Sequence, residues 1–313
     1  MNQPFQILSL DGGGIKGIFP AAVLAHLEKD LNIDITDHFD LITGTSTGGI
    51  IALGLGVGMR PREIVHFYAE NGPKIFPGDW TSAFRRLWRN KYNSAALEEA
   101  LKECFGDILL GESRKRLVIP SYNIGDDDIY LFKTPHHKRL IRDYRVPAWK
   151  VAMATSAAPT YFPSFRRVDH IRLVDGGVWA NNPAMLGIVE AVSLLDIPLE
   201  AIRVFSLGTT SEVKGRPKKL DRGGCCQWAF SAVDVIMRGQ SIGANTQALH
   251  LLGNENVLRC DPAVPDGLFA LDRLSEEELL SKAAHESRQI SPRFTEVFAG
   301  HIAEEFKPFH QVQ

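Results

Sequence analysis

Asp40-Leu-Ile-Thr-Gly-Thr-Ser-Thr-Gly-Gly-Ile-Ile51 decides how the rest of the chain is read. Phe39 to Thr43 is apolar and β-favouring, and Ile50 to Val57 continues as an apolar helical run. Between them lies Gly44-Thr45-Ser46-Thr47-Gly48, a G-x-S-x-G pattern. Small residues two before and two after the serine let strand and helix approach closely, so Ser46 is presented in a strained turn at the top of a sheet. The helix behind it aims N–H groups and the positive end of its dipole at charge developing there. The same residues also suit a plain Gly/Thr/Ser loop. Their placement between an apolar strand and an apolar helix favours the nucleophile elbow.

Around this stretch the bulk numbers are those of a globular chain. At 313 residues, about three quarters of the unfolded surface can be buried. A hydrophobic share of 44% with 23% charged residues fits, and a net charge of −2 argues against a partner that is a nucleic-acid polymer. Cys104, Cys225, Cys226 and Cys260 lack zinc spacing and read as free thiols of a reducing cytoplasm. The first ten residues lack the basic flank of a signal peptide, and no apolar run reaches membrane-span length. The expectation is therefore a cytoplasmic chain.

Upstream of the elbow, Phe5 to Leu10 reads as a buried strand ending in Asp11-Gly-Gly-Gly-Ile-Lys-Gly17, and a helix follows from Pro20 to about Asp30. Gly12, Gly14 and Gly17 match the dinucleotide fingerprint, with Asp30 or Asp34 as the acidic partner it needs. The same glycines can instead aim backbone N–H groups at an oxyanion. One βα unit before a serine elbow, the oxyanion hole is the preferred reading. No Gly-Lys-Ser/Thr follows, so the Walker pattern fails.

Downstream, Arg62 to Glu70 reads as a helix broken by Asn71-Gly-Pro73. Trp80, Phe84, Leu87 and Trp88, interleaved with Arg85, Arg86, Arg89 and Lys91, have the composition of a membrane-surface helix. An aromatic face packed on the core would look the same. Ser94 caps a helix to Phe105, and strands at Arg116 to Ile124 and Ile129 to Lys133 flank the Gly125-Asp-Asp-Asp128 turn. That turn lacks calcium-loop spacing, and no metal is expected. Val146 to Ser156 reads as a helix, and Ile171 to Val174 as a strand ending in Asp175-Gly-Gly177. A helix from Asn182 to Leu195 and a strand from Ile202 to Leu207 follow. Ser211 to Gly224 reads as a mobile basic loop, then come helices over Trp228 to Leu252, from the Ser275-Glu278 capping box to Arg288, and from Arg293 to Phe306. Alternating strands and helices predict an α/β fold with a mainly parallel sheet. No linker is visible, so residues 1–313 are expected to form one domain, with a motif-bearing part over 5–210 and a helical part over 211–313.

Ligands of open parallel sheets lie outside the carboxyl ends of the strands, where Gly12 to Gly14, Ser46 and Asp175 are all expected. A serine hydroxyl needs a base to become a nucleophile. Asp175 could take its proton directly, though a free aspartate, with a pKa of about 3.9, is a weak base until buried. A Ser46–Asp175–His triad is the alternative, using His250, His285, His301 or His310. Each lies in an expected helix or near the terminus and suits a surface or core role.

These three motifs, in this order, resemble those of the patatin-like phospholipases: Asp11 to Gly17, Gly44 to Gly48 and Asp175 to Gly177. Ala154-Thr-Ser-Ala-Ala-Pro-Thr-Tyr-Phe-Pro163, Asn181-Asn-Pro183 and Ser206-Leu-Gly-Thr209 agree with it, so the likeness spans about Phe5 to Thr209. The resemblance implies a three-layer α/β/α fold and a cofactor-free lipid acyl hydrolase of phospholipase A type. It implies a Ser–Asp dyad without histidine, with Ser46 as nucleophile, Asp175 as proton acceptor, and Gly12, Gly13 and Gly14 as the oxyanion hole. Lys16, Gly17, Gly44, Gly48, Gly176 and Gly177 would support the motifs. Lys16 stands where the family commonly has arginine. Membrane phospholipid would be the substrate, met at the inner face of the membrane through Trp80, Phe84 and Trp88. Some bacterial members of similar length resemble this chain and act as membrane-degrading effectors in anti-phage defence, switched on by a cyclic nucleotide, so the likeness makes such an activator an expectation here. The competing functions are a nucleotide-binding module using the Gly12–Gly17 loop and a catalytically inactive lipid-binding protein.

Overall fold

The computed structural model describes residues 3–75, 94–213, 218–224, 228, 232–265 and 276–311. Phe5–Leu10 (β1) is apolar except for Gln6 and Ser9 and is buried along its whole length, as a strand covered on both faces must be. Its neighbours in the seven-stranded sheet are Leu41–Gly44 (β2) and Ile202–Leu207 (β6), both parallel to it. Beyond β2 lies Arg116–Asn123 (β3), and beyond β6 lies Val257–Cys260 (β8), again parallel. Asp128–Lys133 (β4) closes one edge as a hairpin with β3. The fold is α/β with a mixed, mostly parallel sheet.

Leu173–Asp175 (β5) runs against the grain. It pairs antiparallel with the far half of β3, setting Asp175 opposite Ser121, while β2 pairs with the first half. An antiparallel strand there ends pointing back at the carboxyl end of β2. Asp175 therefore reaches the elbow by meeting it head-on, and the expectation of three parallel strand ends is corrected on this point.

Helices cover both faces. Ile18–Leu31 (α1), Thr47–Gly56 (α2), Pro61–Ile75 (α3), Ala95–Phe105 (α4) and Ala148–Thr155 (α5) pack with Leu8, Leu10 and Ile42 on one side. Gly177–Ala180 (α6) is a single turn, after which Ala184–Leu194 (α7) and Ala232–Leu252 (α8) cover Ile7, Leu41 and Val204 on the other. Glu276–Val297 (α9) joins the first face through Phe294, and together with Phe298, just past its end, that ring packs with Phe39 and Phe205.

Several expected boundaries move. Asn71-Gly-Pro73 does not stop α3, which runs on to Ile75 because Gly72 and Ile75 are buried, Gly72 against Ile15. Ser94 stands at the start of α4 without a side-chain capping bond. The two helices expected over 275–306 are one, continuous through Pro292 and ended at Val297, whose carbonyl accepts from Arg203 at 2.6 Å. His301 thus lies outside any helix. The expected loop at Ser211 begins instead with the strand Ser211–Val213 (β7), paired with Ala263–Pro265 (β9). Trp80, Phe84 and Trp88, the expected membrane contact, lie outside the described residues.

Candidate functional site

The elbow is built by close approach. A side chain at Gly44 would come within 2.2 Å of the Gly48 carbonyl oxygen, and one at Gly48 within 2.2 Å of that of Leu10. Only hydrogen fits at either place, so strand and helix turn directly into one another. Ser46 then takes φ 54° and ψ −121°, a conformation few L-residues adopt. What compensates is hydrogen bonding. The Ser46 N–H donates to Thr155 Oγ1 at 3.0 Å, and Thr155 donates in turn to the Pro120 carbonyl at 2.6 Å.

Asp175 meets the serine from β5. Its carboxylate accepts from the Gly177 N–H at 2.7 Å and faces the Ser46 hydroxyl across a shared cavity. Burial pushes the carboxyl up to about 6, against the Ser46 hydroxyl and the Gly177 N–H, which pull it down. Among the described residues no cation opposes the burial. A side chain at Gly176 would sit 2.4 Å from the Pro120 carbonyl oxygen, which explains the glycine after the aspartate.

The glycine loop closes the third side. Gly13 and Gly14 share a cavity of about 280 Å³ with Ser46 and Asp175. The Gly12 N–H donates to the Asn181 carbonyl at 3.0 Å, so it is not free to face an oxyanion. This corrects one member of the expected set. Gly12 is needed for space, since a side chain there would meet Asn181 Oδ1 at 2.6 Å and Ser46 Cβ at 3.3 Å. The N–H groups of Gly13 and Gly14 have no such acceptor among the described residues. Gly17 lets the loop pass Thr47, whose Oγ1 would lie 1.9 Å from an added Cβ. Lys16 is buried and does not line the cavity.

The cavity walls are apolar: Ile50, Phe67, Ile75, Leu97, Phe162 and Met237 among others. A larger, polar opening of about 890 Å³ lies beside Leu55, Gly58 and Met59, past the far end of α2, and contains none of these groups.

None of the four candidate histidines lines the cavity. His301 Nε2 bonds Asp40 Oδ2 at 2.8 Å, and the His301 carbonyl accepts from His38 Nδ1 at 2.7 Å, an arrangement that fastens the chain beyond α9 to the foot of the sheet. His285 pairs with Gln289 at 2.9 Å, and His310 bonds the Lys138 carbonyl at 3.0 Å. Sequence reasoning passed over Thr155, Asn181 and Thr209 as individuals, although each falls in a stretch that it marked. Thr209 Oγ1 donates to the Gly12 carbonyl at 3.2 Å.

Among the described residues, no helix is long and apolar enough to cross a membrane. A profile described as patatin-like phospholipase matches residues 8–188. A protein of Pseudomonas aeruginosa named cGAMP-activated phospholipase is 37% identical over 87% of this chain and 83% of its own length. One of Escherichia coli with the same name is 31% identical over 93% of this chain and 90% of its own. Among solved structures, VipD from Legionella pneumophila aligns at a TM-score of 0.49 and 12% identity, over 93% of this chain and 67% of that one.

Proposed function

Because the chain belongs to the patatin-like phospholipases and is a serine hydrolase, we propose that it cleaves fatty-acyl esters of membrane phospholipids with Ser46 as nucleophile and Asp175 as base. The observation that carries this reading is the Ser46 hydroxyl set beside a buried carboxylate at an apolar cavity, with no cation against that carboxylate among the described residues. Ser46 Oγ attacks the ester carbonyl and its proton passes to Asp175. The carbonyl oxygen becomes an oxyanion facing the Gly13 and Gly14 N–H groups. As the tetrahedral intermediate collapses, Asp175 gives the proton to the departing lysophospholipid oxygen and an acyl-enzyme remains. Water repeats the sequence: Asp175 takes its proton, the acyl bond breaks, and Ser46 regains its hydrogen as the fatty acid leaves. A carboxyl at about 6 is a stronger base than a free aspartate and is still ionised at neutral pH.

We further propose that a cyclic nucleotide switches the enzyme on, in anti-phage defence. Support for the activator comes from the names and near full-length similarity of the Pseudomonas and Escherichia relatives, and the defence role rests on the resemblance to bacterial members of the family. The membrane would be met from the cytoplasmic side, a reading favoured by the free thiols of Cys104 and Cys260. The test is fatty-acid release from phospholipid vesicles by wild type and Ser46→Ala, each with and without cGAMP. Release by wild type alone, dependent on cGAMP, is the expected result. Release that persists in Ser46→Ala overturns the nucleophile assignment, and release indifferent to cGAMP overturns the activator.

A further inference from the structure

Behind the glycine loop lies a charged cluster that the proposed chemistry does not use. Asp11, the residue before Gly12, is 3% exposed. Arg259 on β8 grips it with both prongs of the guanidinium, Nη1 to Oδ1 at 2.8 Å and Nη2 to Oδ2 at 2.6 Å. The same guanidinium donates to Ser206 Oγ at 2.7 Å and to Asp261 Oδ2 at 3.0 Å. Its other bonds thus tie it to the ends of β6 and β8. Ser241 on α8 donates to Asp11 Oδ2 at 3.2 Å and accepts from Asn181 Nδ2 at 3.2 Å. Asn181 in turn accepts the Gly12 N–H. Asp11 to Ser241 to Asn181 to Gly12 is a closed ring, and Gly13 is the next residue out.

We propose that Arg259 is a positioning residue: acting through Asp11, it sets where the Gly13 and Gly14 N–H groups stand relative to Ser46. This rests on the assignment of those groups as the oxyanion hole. A buried ion pair of this kind is weak evidence for stability, since apolar residues of similar volume often do as well. What the two-pronged grip adds is direction, because a guanidinium fixes the plane of a carboxylate and an ammonium does not. Asp11 is joined to the loop by a single peptide bond, so anchoring its carboxylate to Arg259 and Ser241 anchors the residue from which the glycines start. Arg259 lies outside the motif-bearing stretch and gives the C-terminal third of the chain a part in the chemistry.

The test uses the full chain with cGAMP present throughout, a soluble p-nitrophenyl ester as substrate, and Ser46 titrated to completion with a fluorophosphonate. Arg259→Lys keeps the charge and loses the fork, Asp11→Asn removes its target, and the double variant combines them. Misplaced oxyanion donors act on the transition state, so kcat per titrated serine should fall about tenfold to a hundredfold in either single variant. KM should stay within about threefold of wild type, since the acyl pocket is untouched. The double variant should lose no more than the worse single one, because both act on one contact. A merely structural role would lower the number of titratable serines and leave kcat per site at the wild-type value, and that result overturns the proposal. Losses that multiply in the double variant overturn it as well. Hydrolysis surviving in Ser46→Ala would sink the nucleophile assignment underneath, an outcome distinct from a null effect at Arg259.

Discussion

Asp175→Asn should make the protein more stable while abolishing its activity, by an amount that depends on pH. The Asp175 carboxyl stands at about 6 instead of 3.8 because burial disfavours its charge. A folded-state value raised from 3.8 to about 6 means that the folded protein holds this proton more tightly than the unfolded chain. Between about pH 3.8 and pH 6 the folded state binds more protons, so stability from this group falls as pH rises through that window. Above pH 6 the full cost is present, about 3 kcal/mol at about 1.4 kcal/mol per unit. At pH 5 the same linkage leaves roughly half of it, about 1.6 kcal/mol. Asparagine has nearly the same shape, still accepts from the Gly177 N–H, and carries no charge to bury. With about 2.1 cal/mol/K per residue over this chain, Asp175→Asn should raise Tm by about 4 to 5 °C at pH 8 and about half that at pH 5. Thermal unfolding of both proteins at the two pH values is the assay. An unchanged or lower Tm at pH 8 would refute the reasoning, as would a gain that does not shrink at pH 5, because either result means that the buried carboxylate is not carrying the cost.

With Asp175 as base, kcat/KM on a soluble ester should fall about tenfold per pH unit below pH 6, and a profile flat down to pH 5 would remove Asp175 from that role. Ser46→Gly should unfold at a higher temperature than Ser46→Ala, by roughly 1 kcal/mol of stability, because glycine accepts φ 54° and alanine does not; equal melting points would mean that the elbow stores no strain. Gly48→Ala should fail to give soluble protein, its methyl meeting the backbone carbonyl of Leu10, and a well-folded variant would show that the elbow can open. His301→Ala should cost about 1 to 3 kcal/mol in denaturant unfolding through loss of the Asp40 contact, yet leave kcat per folded molecule unchanged; a large loss of kcat would reopen the histidine triad.

The parts of this fold written in local pattern could be read directly. Ile202–Leu207 has four apolar residues in six between turn residues and forms a strand over the range expected. The elbow was legible because its glycines have a steric purpose that the spacing alone expresses. What the sequence hid depends on partners far along the chain. Val257–Cys260 contains Arg259, and an arginine in a four-residue run argues against a buried strand until Asp11, some 250 residues earlier, is seen to neutralise it. Pro292 reads as a helix stop, yet Phe294 and Phe298 must both reach the cluster around Phe39, and that packing carries the helix through. The direction of β5 was equally invisible, since three residues ending in Asp-Gly-Gly look the same whichever way they run.

Asp11 and Asp175 end strands on either side of Ser46, and each is pushed up to about 6 by burial. Their surroundings differ in kind. Asp11 has a guanidinium on both oxygens, which pulls against the burial and holds the carboxylate ionised and still. Among the described residues Asp175 has only neutral groups beside it, the Gly177 N–H and the serine hydroxyl whose proton it would accept. A carboxylate locked in an ion pair cannot accept a proton without breaking that pair. One held by a hydroxyl and an amide can, and its raised affinity then drives the transfer. The contrast supports the proposed roles, Asp175 in chemistry and Asp11 in geometry, and the exchange of environments tests them: in an Arg259→Gln variant Asp11 loses its counter-charge and should bind a proton near neutral pH, while the acid limb set by Asp175 stays near pH 6.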